Sequence, residues 1–353
     1  MSSPANPYLS IVFVVRNDDY GGDFNERLQN SVNWLSHFIE KLELPTELFL
    51  VNYNPMSERA PLTESINWPC DRSYLQIRML TVPTETHQEM VNPEIRYTVP
   101  VFEFPAKNVA LRRARGEYII STNADILLDP QILEFVKKQK ATKGNYYRAD
   151  RYDYHRLEKY DFDDTSALLK EIQKNIFIVH FKGYAFELKD GLKPGPLKEA
   201  RRKNAKRIKK NLNSLKWESL AIKRGWTVVY DNIPQKFHTH CSGDFMMMHR
   251  DYWHELRGYP EETLISTHVD ALFTVMAGTS GLKEVVLKHP LYHQDHERRY
   301  VTNVSRDDAD NRIQHMYDRL TKEGKLMVAQ KAPIIYNDEN WGLGNRNFEE
   351  QTF

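Results

Sequence analysis

Pro105-Ala-Lys-Asn-Val-Ala-Leu-Arg-Arg-Ala-Arg-Gly116-Glu-Tyr-Ile-Ile-Ser-Thr-Asn-Ala-Asp125-Ile-Leu-Leu-Asp-Pro130 is the stretch that decides the fold. It reads as a short helix, a stop, a buried strand and a carboxylate at the strand's exposed end. Val109, Ala110 and Ala114 form one small apolar helix face, and Gly116 sits where a helix C-cap is expected. Tyr118, Ile119 and Ile120 are β-formers in an unbroken run, as in a strand covered on both faces. Asn123 and Asp125 follow where that strand ends. Ligands of open α/β sheets gather outside the carboxyl ends of the strands. A carboxylate there, two residues after an amide, suits a hard divalent metal that carries phosphates.

The same alternation extends on both sides. Leu9 to Val15 is a continuous apolar strand, central in a parallel sheet, and the polar loop Arg16 to Asp23 ends it. From Glu26 to Lys41, Leu28, Val32, Leu35, Phe38 and Ile39 recur at helical spacing, and Pro45 closes the segment. Glu47 to Val51 is a second strand, ended by the turn Asn52-Tyr53-Asn54-Pro55; Tyr74 to Val82 is a third. Asp129-Pro130 is an N-cap followed by proline at the first helical position, opening a helix that runs to the region of Lys138. This order predicts a nucleotide-binding α/β sheet. No Gly-x-Gly-x-x-Gly follows the first strand and no Gly-Lys-Ser/Thr loop occurs, so a metal becomes the expected means of holding a diphosphate.

A chain of 353 residues accommodates one large α/β domain or a core domain with a sizeable insertion. A net charge of +1 gives no argument for nucleic acid at the level of the whole chain. Two cysteines, Cys70 and Cys241, make neither a disulfide framework nor a cysteine-based zinc site, and point to a reducing compartment. Residues 1–10 are polar and do not read as a signal peptide, and no apolar run approaches the roughly 20 residues that span a bilayer. A cytoplasmic protein, soluble or peripheral on a membrane, is expected.

Between Asp150 and His238 the pattern changes. Lys198, Arg201, Arg202, Lys203, Lys206, Arg207, Lys209 and Lys210 crowd together, and Leu212, Leu215, Leu220 and Ile222 give only a partial apolar face. A helical insertion with a solvated basic face is predicted, with peripheral contact between Lys198–Lys210 and an anionic membrane or charged acceptor as the functional alternative. Aromatic residues for base stacking are sparse there, so nucleic acid is not expected. Downstream, Gly243-Asp244 begins a loop, Phe245 to Met248 is a buried strand, and Asp251 to Leu256 is a short helix stopped by Gly258. His268-Val269-Asp270 opens an apolar helix, and His293 and His296 stand three apart.

In the order of these motifs the chain resembles nucleotide-sugar-dependent glycosyltransferases of the GT-A fold, particularly family 2-like enzymes. The resemblance covers the first strand, the Asn52 turn, Lys107 to Leu128, Gly243 to Glu261 and His268 to His296. It implies a mixed, mostly parallel central sheet flanked by helices, with a basic helical insertion. Residues 1–150 would form the nucleotide-sugar-binding half, 151–237 the insertion, 238–300 the acceptor and catalytic half, and 301–353 a helical or irregular tail. The family's Asp-x-Asp signature appears as Asn123-Ala124-Asp125, and its nucleobase-binding Asp is replaced by Asn52. Asp125 with His293 or His296 would hold Mn²⁺ or Mg²⁺; a histidine nitrogen suits Mn²⁺ better. Arg16, Asn52, Lys107, Asn108, Arg112 and Asn123 would contact the base, ribose or phosphates of the donor. Asp270, where the family carries a Glu-Asp pair, would be the general base of an inverting transfer to a glycan or other hydroxyl acceptor, and Asp244 would hydrogen-bond the sugar or acceptor. A glycosyltransferase-like binding domain without catalysis, and a sugar nucleotidyltransferase, are the competing expectations.

Overall fold

A computed structural model describes residues 6–91, 99–189, 191–193, 200–201, 203–205, 215–231, 236–263, 266–297 and 306–353. Strands β1 (Leu9–Val15), β2 (Thr46–Tyr53), β3 (Leu75–Val82) and β4 (Tyr118–Thr122) lie side by side and parallel, in the order β3-β2-β1-β4. β1 has the bounds its apolar run predicts. Ile11 and Phe13 pack with Leu28, Val32 and Leu35 of the helix Phe24–Leu42, while Val12 packs with Val109 and Ala110 of the helix Glu103–Arg113. Both faces of the strand are therefore covered, which is why it reads as unbroken apolar sequence rather than as an alternation.

Gly116 has a different role from the predicted cap. The helix ends at Arg113, and Ala114 closes it. A Cβ on Gly116 would lie 2.4 Å from the Ser10 backbone nitrogen, and the Gly116 N–H donates to Ser10 Oγ at 2.8 Å. The glycine is there for close approach to β1, the second common reason for a glycine beside a strand.

Beyond β4 the sheet continues as β11 (Phe245–His249), β6 (Asn145–Arg148) and β12 (Lys283–Val286). β11 runs antiparallel to both β4 and β6, so the sheet is mixed. At the other edge β14 (Glu349–Thr352) pairs antiparallel with β3. This acidic strand is held by Arg78, whose guanidinium donates to Glu350 at 2.7 and 2.8 Å and also pairs with buried Glu47. The described part of the predicted tail, 306–353, thus holds a helix, Arg306–Gln330, and an edge strand of the main sheet.

The segment 151–237 differs from the helical insertion predicted. Its described residues include helices Thr165–Lys174 and Leu215–Arg224, and also β7 (Arg151–Tyr154), β8 (Ile176–Phe181), β9 (Tyr184–Glu187) and β10 (Thr227–Asp231). With β5 (Ile126–Leu128) and β13 (Leu291–Gln294) these make a second sheet, ordered β10-β9-β8-β7-β13-β5. The basic cluster hid these strands because its charge dominates the composition. Most of Lys198–Lys210 lies outside the described residues. Within it Asn204 is buried, donating to the Trp226 carbonyl and accepting from the Val228 N–H. No helix among the described residues is long and apolar enough to cross a membrane.

Candidate metal centre and its charged surround

The second sheet assembles the site by register. β13 runs antiparallel to β5 with His293 opposite Ile126, and the Gln294 N–H donates to the Asp125 carbonyl at 3.0 Å. β13 also runs parallel to β7, with His293 opposite Asp153 and Leu291 opposite Arg151. β7 is antiparallel to β8, with Arg151 opposite His180. Residues two apart on a strand share a face, and in-register neighbours share it too. His293, Asp153, Arg151 and His180 therefore lie on one face of the sheet, next to Asp125 at its edge.

Asp125, His293 and His296 each offer a ligand atom, all within 4.8 Å of one another. His296 Nε2 lies 3.2 Å and His293 Nε2 3.8 Å from Asp125 Oδ2. Sequence spacing left the two histidines as alternatives; the fold brings both to Asp125. Burial alone would raise the Asp125 carboxyl, but the His296 hydrogen bond, with the charges of both histidines and Arg27, holds it well below the usual carboxylate range. Asp125 Oδ1 is buried and accepts no hydrogen bond among the described residues. One buried carboxylate oxygen, Oδ1, thus lacks a donor among the described residues while the other, Oδ2, faces two imidazoles, a set of side chains that could hold a divalent cation.

The loop after β1 closes over this group. Gly21 has φ +70°, and a Cβ there would lie 2.5 Å from His296 Nδ1. Tyr20 stacks edge-on against His296, with ring centroids 5.3 Å apart. Arg27, fully buried in the first helix, donates to the carbonyls of Tyr20 and Gly22.

On the other side stand two groups expected to touch substrate. The Thr122 hydroxyl, at the end of β4, donates to the Asp244 carbonyl at 2.6 Å, so the loop before β11 sits beside the one after β4. Asp244 Oδ1 accepts from Asn123 Nδ2 at 2.8 Å, and Oδ2 accepts from Arg151 at 2.7 Å. Burial alone would raise the Asp244 carboxyl; the Arg151 charge brings it below its usual range. Arg151 also lies 2.8 Å from Asp153, which bonds His180 Nε2 at 3.1 Å. Arg151, Asp153 and His180 escaped the sequence reading. The one available signal was the alternation Arg151-Tyr-Asp153, opposite charges on one strand face. Arg151→Met should cost about 3–5 kcal/mol of stability in urea unfolding, because it leaves Asp153 and Asp244 buried without their counter-charge. A loss under about 1 kcal/mol would mean that the carboxylates find other partners on relaxation.

Asp270 opens the helix Val269–Thr279. Its Oδ2 accepts from Ser242 Oγ at 2.8 Å and from the Gly243 N–H at 2.6 Å. Lys107, wholly buried, donates to the Gly243 carbonyl at 2.8 Å and pairs with Glu103 at 3.0 Å. Arg16 braces the ends of β1 and β2, donating to the Asn54 carbonyl at 2.6 Å and to Asp18 at 2.7 Å. Asn52, near the end of β2, keeps a buried Oδ1 without a donor among the described residues. Asn108 and Arg112 are employed elsewhere. Asn108 holds both backbone groups of Tyr259 at 2.8 Å, and Arg112 donates to the carbonyls of Glu339 and Trp341 at 2.9 and 3.0 Å.

No protein-family model matches the chain, and no curated protein sequence matches it. Among solved structures the chain is similar to S. aureus TarS 1-349, at 13% identity and a TM-score of 0.42, over 81% of this chain and 60% of that one. It is similar to GalNAc-T7 with UDP, GalNAc and Mn²⁺, at 12% identity and a TM-score of 0.45, over 91% of this chain and 50% of that one. It is also similar to the catalytic domain of Drosophila β1,4-galactosyltransferase 7 in complex with xylobiose, at 12% identity and a TM-score of 0.36, over 84% and 76% of the two chains. The chain spans 60% and 50% of the first two proteins.

Proposed function

We propose that the protein is a metal-assisted glycosyltransferase of the GT-A type, moving a sugar from a nucleoside diphosphate sugar to a hydroxyl acceptor with inversion. The observation that carries this reading is the convergence of Asp125, His293 and His296 at the exit of β4, with a buried carboxylate oxygen left for a cation. These three residues fit Mn²⁺, with Mg²⁺ the harder and less suited ion for two imidazoles. When bound, the cation supplies Lewis-acid stabilisation of the charge that develops on the departing diphosphate.

The remaining roles belong to the chain's own side chains. Asn52 offers its unpartnered amide oxygen to an N–H on the edge of the nucleobase. Arg16 lies at the neighbouring strand end, where a cation can face the donor. Asn123 keeps its carbonyl oxygen for a ribose hydroxyl while its nitrogen is held by Asp244. Asp244, with both oxygens engaged, orients Asn123 and Arg151 and reaches the sugar only through them. Lys107 fixes the Gly243 carbonyl, and so positions the turn that holds Asp270. Asn108 and Arg112 hold the frame beneath it. No described residue donates to Asp270 Oδ1; that oxygen is the one to take the proton of the attacking acceptor hydroxyl.

The test is release of nucleoside diphosphate from a panel of nucleoside diphosphate sugars, with Mn²⁺ and with chelator. Mn²⁺-dependent release from at least one donor is expected. Tight donor binding with no turnover on any donor or acceptor would make the protein a binding domain instead. Formation of a nucleotide sugar from sugar phosphate and nucleoside triphosphate would make it a nucleotidyltransferase.

A further inference from the structure

A second group of metal-ligating side chains stands beyond Arg151, and the glycosyltransferase chemistry uses none of it. His180, His240 and Cys241 each offer one ligand atom, all within 4.8 Å of one another. His180 comes from β8, while His240 and Cys241 come from the segment before β11, so tertiary structure alone brings them together. His180 Nδ1 and His240 Nε2 face each other at 2.9 Å. Two zinc-bound imidazole nitrogens, each about 2.0–2.1 Å from the ion, stand only a few tenths of an ångström farther apart than that. We propose that His180, His240 and Cys241 form a second cation site, of His₂Cys composition, that binds Zn²⁺.

Three features of the surroundings support it. Asp153 bonds the other ring nitrogen of His180, Nε2, at 3.1 Å. With the Arg151 guanidinium also 3.2 Å from that nitrogen, the two charged groups fix the ring with Nδ1 turned toward His240. Arg148, fully buried, donates to the carbonyls of His238 and His240 at 3.0 and 3.1 Å, holding the ligand-bearing segment in place before any ion arrives. Cys241 sits in the left-handed region at φ 50°, a conformation that costs a non-glycine residue energy and persists only where the surroundings impose it. The donor set distinguishes the two centres. Asp125 with two histidines is an oxygen and nitrogen site, whereas the sulfur of Cys241 favours a softer ion. Binding releases the thiol proton to solvent and leaves a Zn–S bond, with the fourth tetrahedral position open to water. Cys241 also precedes the turn Ser242–Asp244, whose Ser242 hydroxyl and Gly243 N–H hold Asp270. An ion here would therefore pin the turn that carries the proposed base.

Co²⁺ is the probe, since only a thiolate ligand gives the sulfur-to-cobalt charge-transfer absorption in the near ultraviolet. The full chain, reduced, is titrated with Co²⁺ and then with Zn²⁺, with circular dichroism to check the fold. The band should appear in the wild type, and Zn²⁺ should abolish it. It should persist in Cys70→Ser and in Asp125→Asn, and vanish in Cys241→Ser. His240→Gln, at a half-buried position that tolerates exchange better than buried His180, should weaken Co²⁺ binding about tenfold or more. No band in the wild type, a band that survives in Cys241→Ser, or undiminished affinity in His240→Gln would each overturn the proposal. Loss of the band in folded Asp125→Asn would also overturn it, because the thiolate-bound cation would then depend on a residue outside the three proposed ligands. None of these results depends on donor turnover, so they leave the proposed transfer reaction to its own test.

Discussion

Asp125→Asn should abolish the Mn²⁺-dependent part of nucleoside diphosphate binding. Calorimetry with and without Mn²⁺ reads it directly. In the wild type the cation should tighten binding of the diphosphate; in the variant the two titrations should coincide. Partners one shell removed from a metal typically contribute about 10–100-fold in affinity, and removal of the carboxylate among the three proposed ligands should reach or exceed the upper end of that range. The asparagine is nearly isosteric and still accepts from His296, so the fold should hold. The loop after β1 should also stay in place, because Arg27 grips it through the Tyr20 and Gly22 carbonyls rather than through Asp125. What the variant lacks is the negative charge facing His293 and His296. If Mn²⁺ enhances binding in the asparagine variant as strongly as in the wild type, the cation sits elsewhere and the centre at β4 is a structural cluster.

How much of this was legible without coordinates depends on how local the signal is. β1 and β4 are covered on both faces, so their unbroken apolar runs announced them, and β1 has its predicted ends at Leu9 and Val15. Asp129 accepts from the Gln131 N–H, with Pro130 at the first helical position, a cap decided by adjacent residues. Asp125 was readable for the same reason, since a strand end is marked by the strand itself. The charged surround was not. Arg151, Asp153 and His180 are polar residues of short strands, and short polar strands look like loops. Their burial follows from registers between β5, β13, β7 and β8, pairings that join distant parts of the chain. Gly116 shows a subtler failure. Its location was right for a cap, but the reason for it is the backbone of β1, far away in sequence. Asn108 and Arg112 fail in the same way. Both sit in the stretch that carries the motif, yet their partners, Tyr259, Glu339 and Trp341, come from the far end of the chain.

Asp270→Asn should lower sugar transfer by about 10²–10⁴-fold, the usual contribution of a positioned base, while leaving donor binding near the wild-type value. The local geometry makes this a clean substitution. Asp270 Oδ2 accepts from Ser242 Oγ and from the Gly243 N–H, and the asparagine carbonyl oxygen can accept both. The turn Ser242–Asp244 should therefore keep its shape, and with it the hold of Asp244 on Asn123 and Arg151. The amide nitrogen then occupies the position of Oδ1, where it can donate a hydrogen bond to an acceptor hydroxyl but cannot take its proton. A negative charge in the first turn of the helix Val269–Thr279 is also lost, which costs roughly 0.3–1 kcal/mol through the helix dipole. That small, uniform loss separates the two roles of the residue. A helix-terminal charge predicts a slightly less stable protein with normal turnover. A general base predicts turnover collapse at nearly unchanged stability, with hydrolysis of the donor by water less affected than transfer to a sugar hydroxyl. Transfer at near the wild-type rate in Asp270→Asn would remove the base from this position. Asp244 would be next in line, although Asn123 and Arg151 already occupy both of its oxygens.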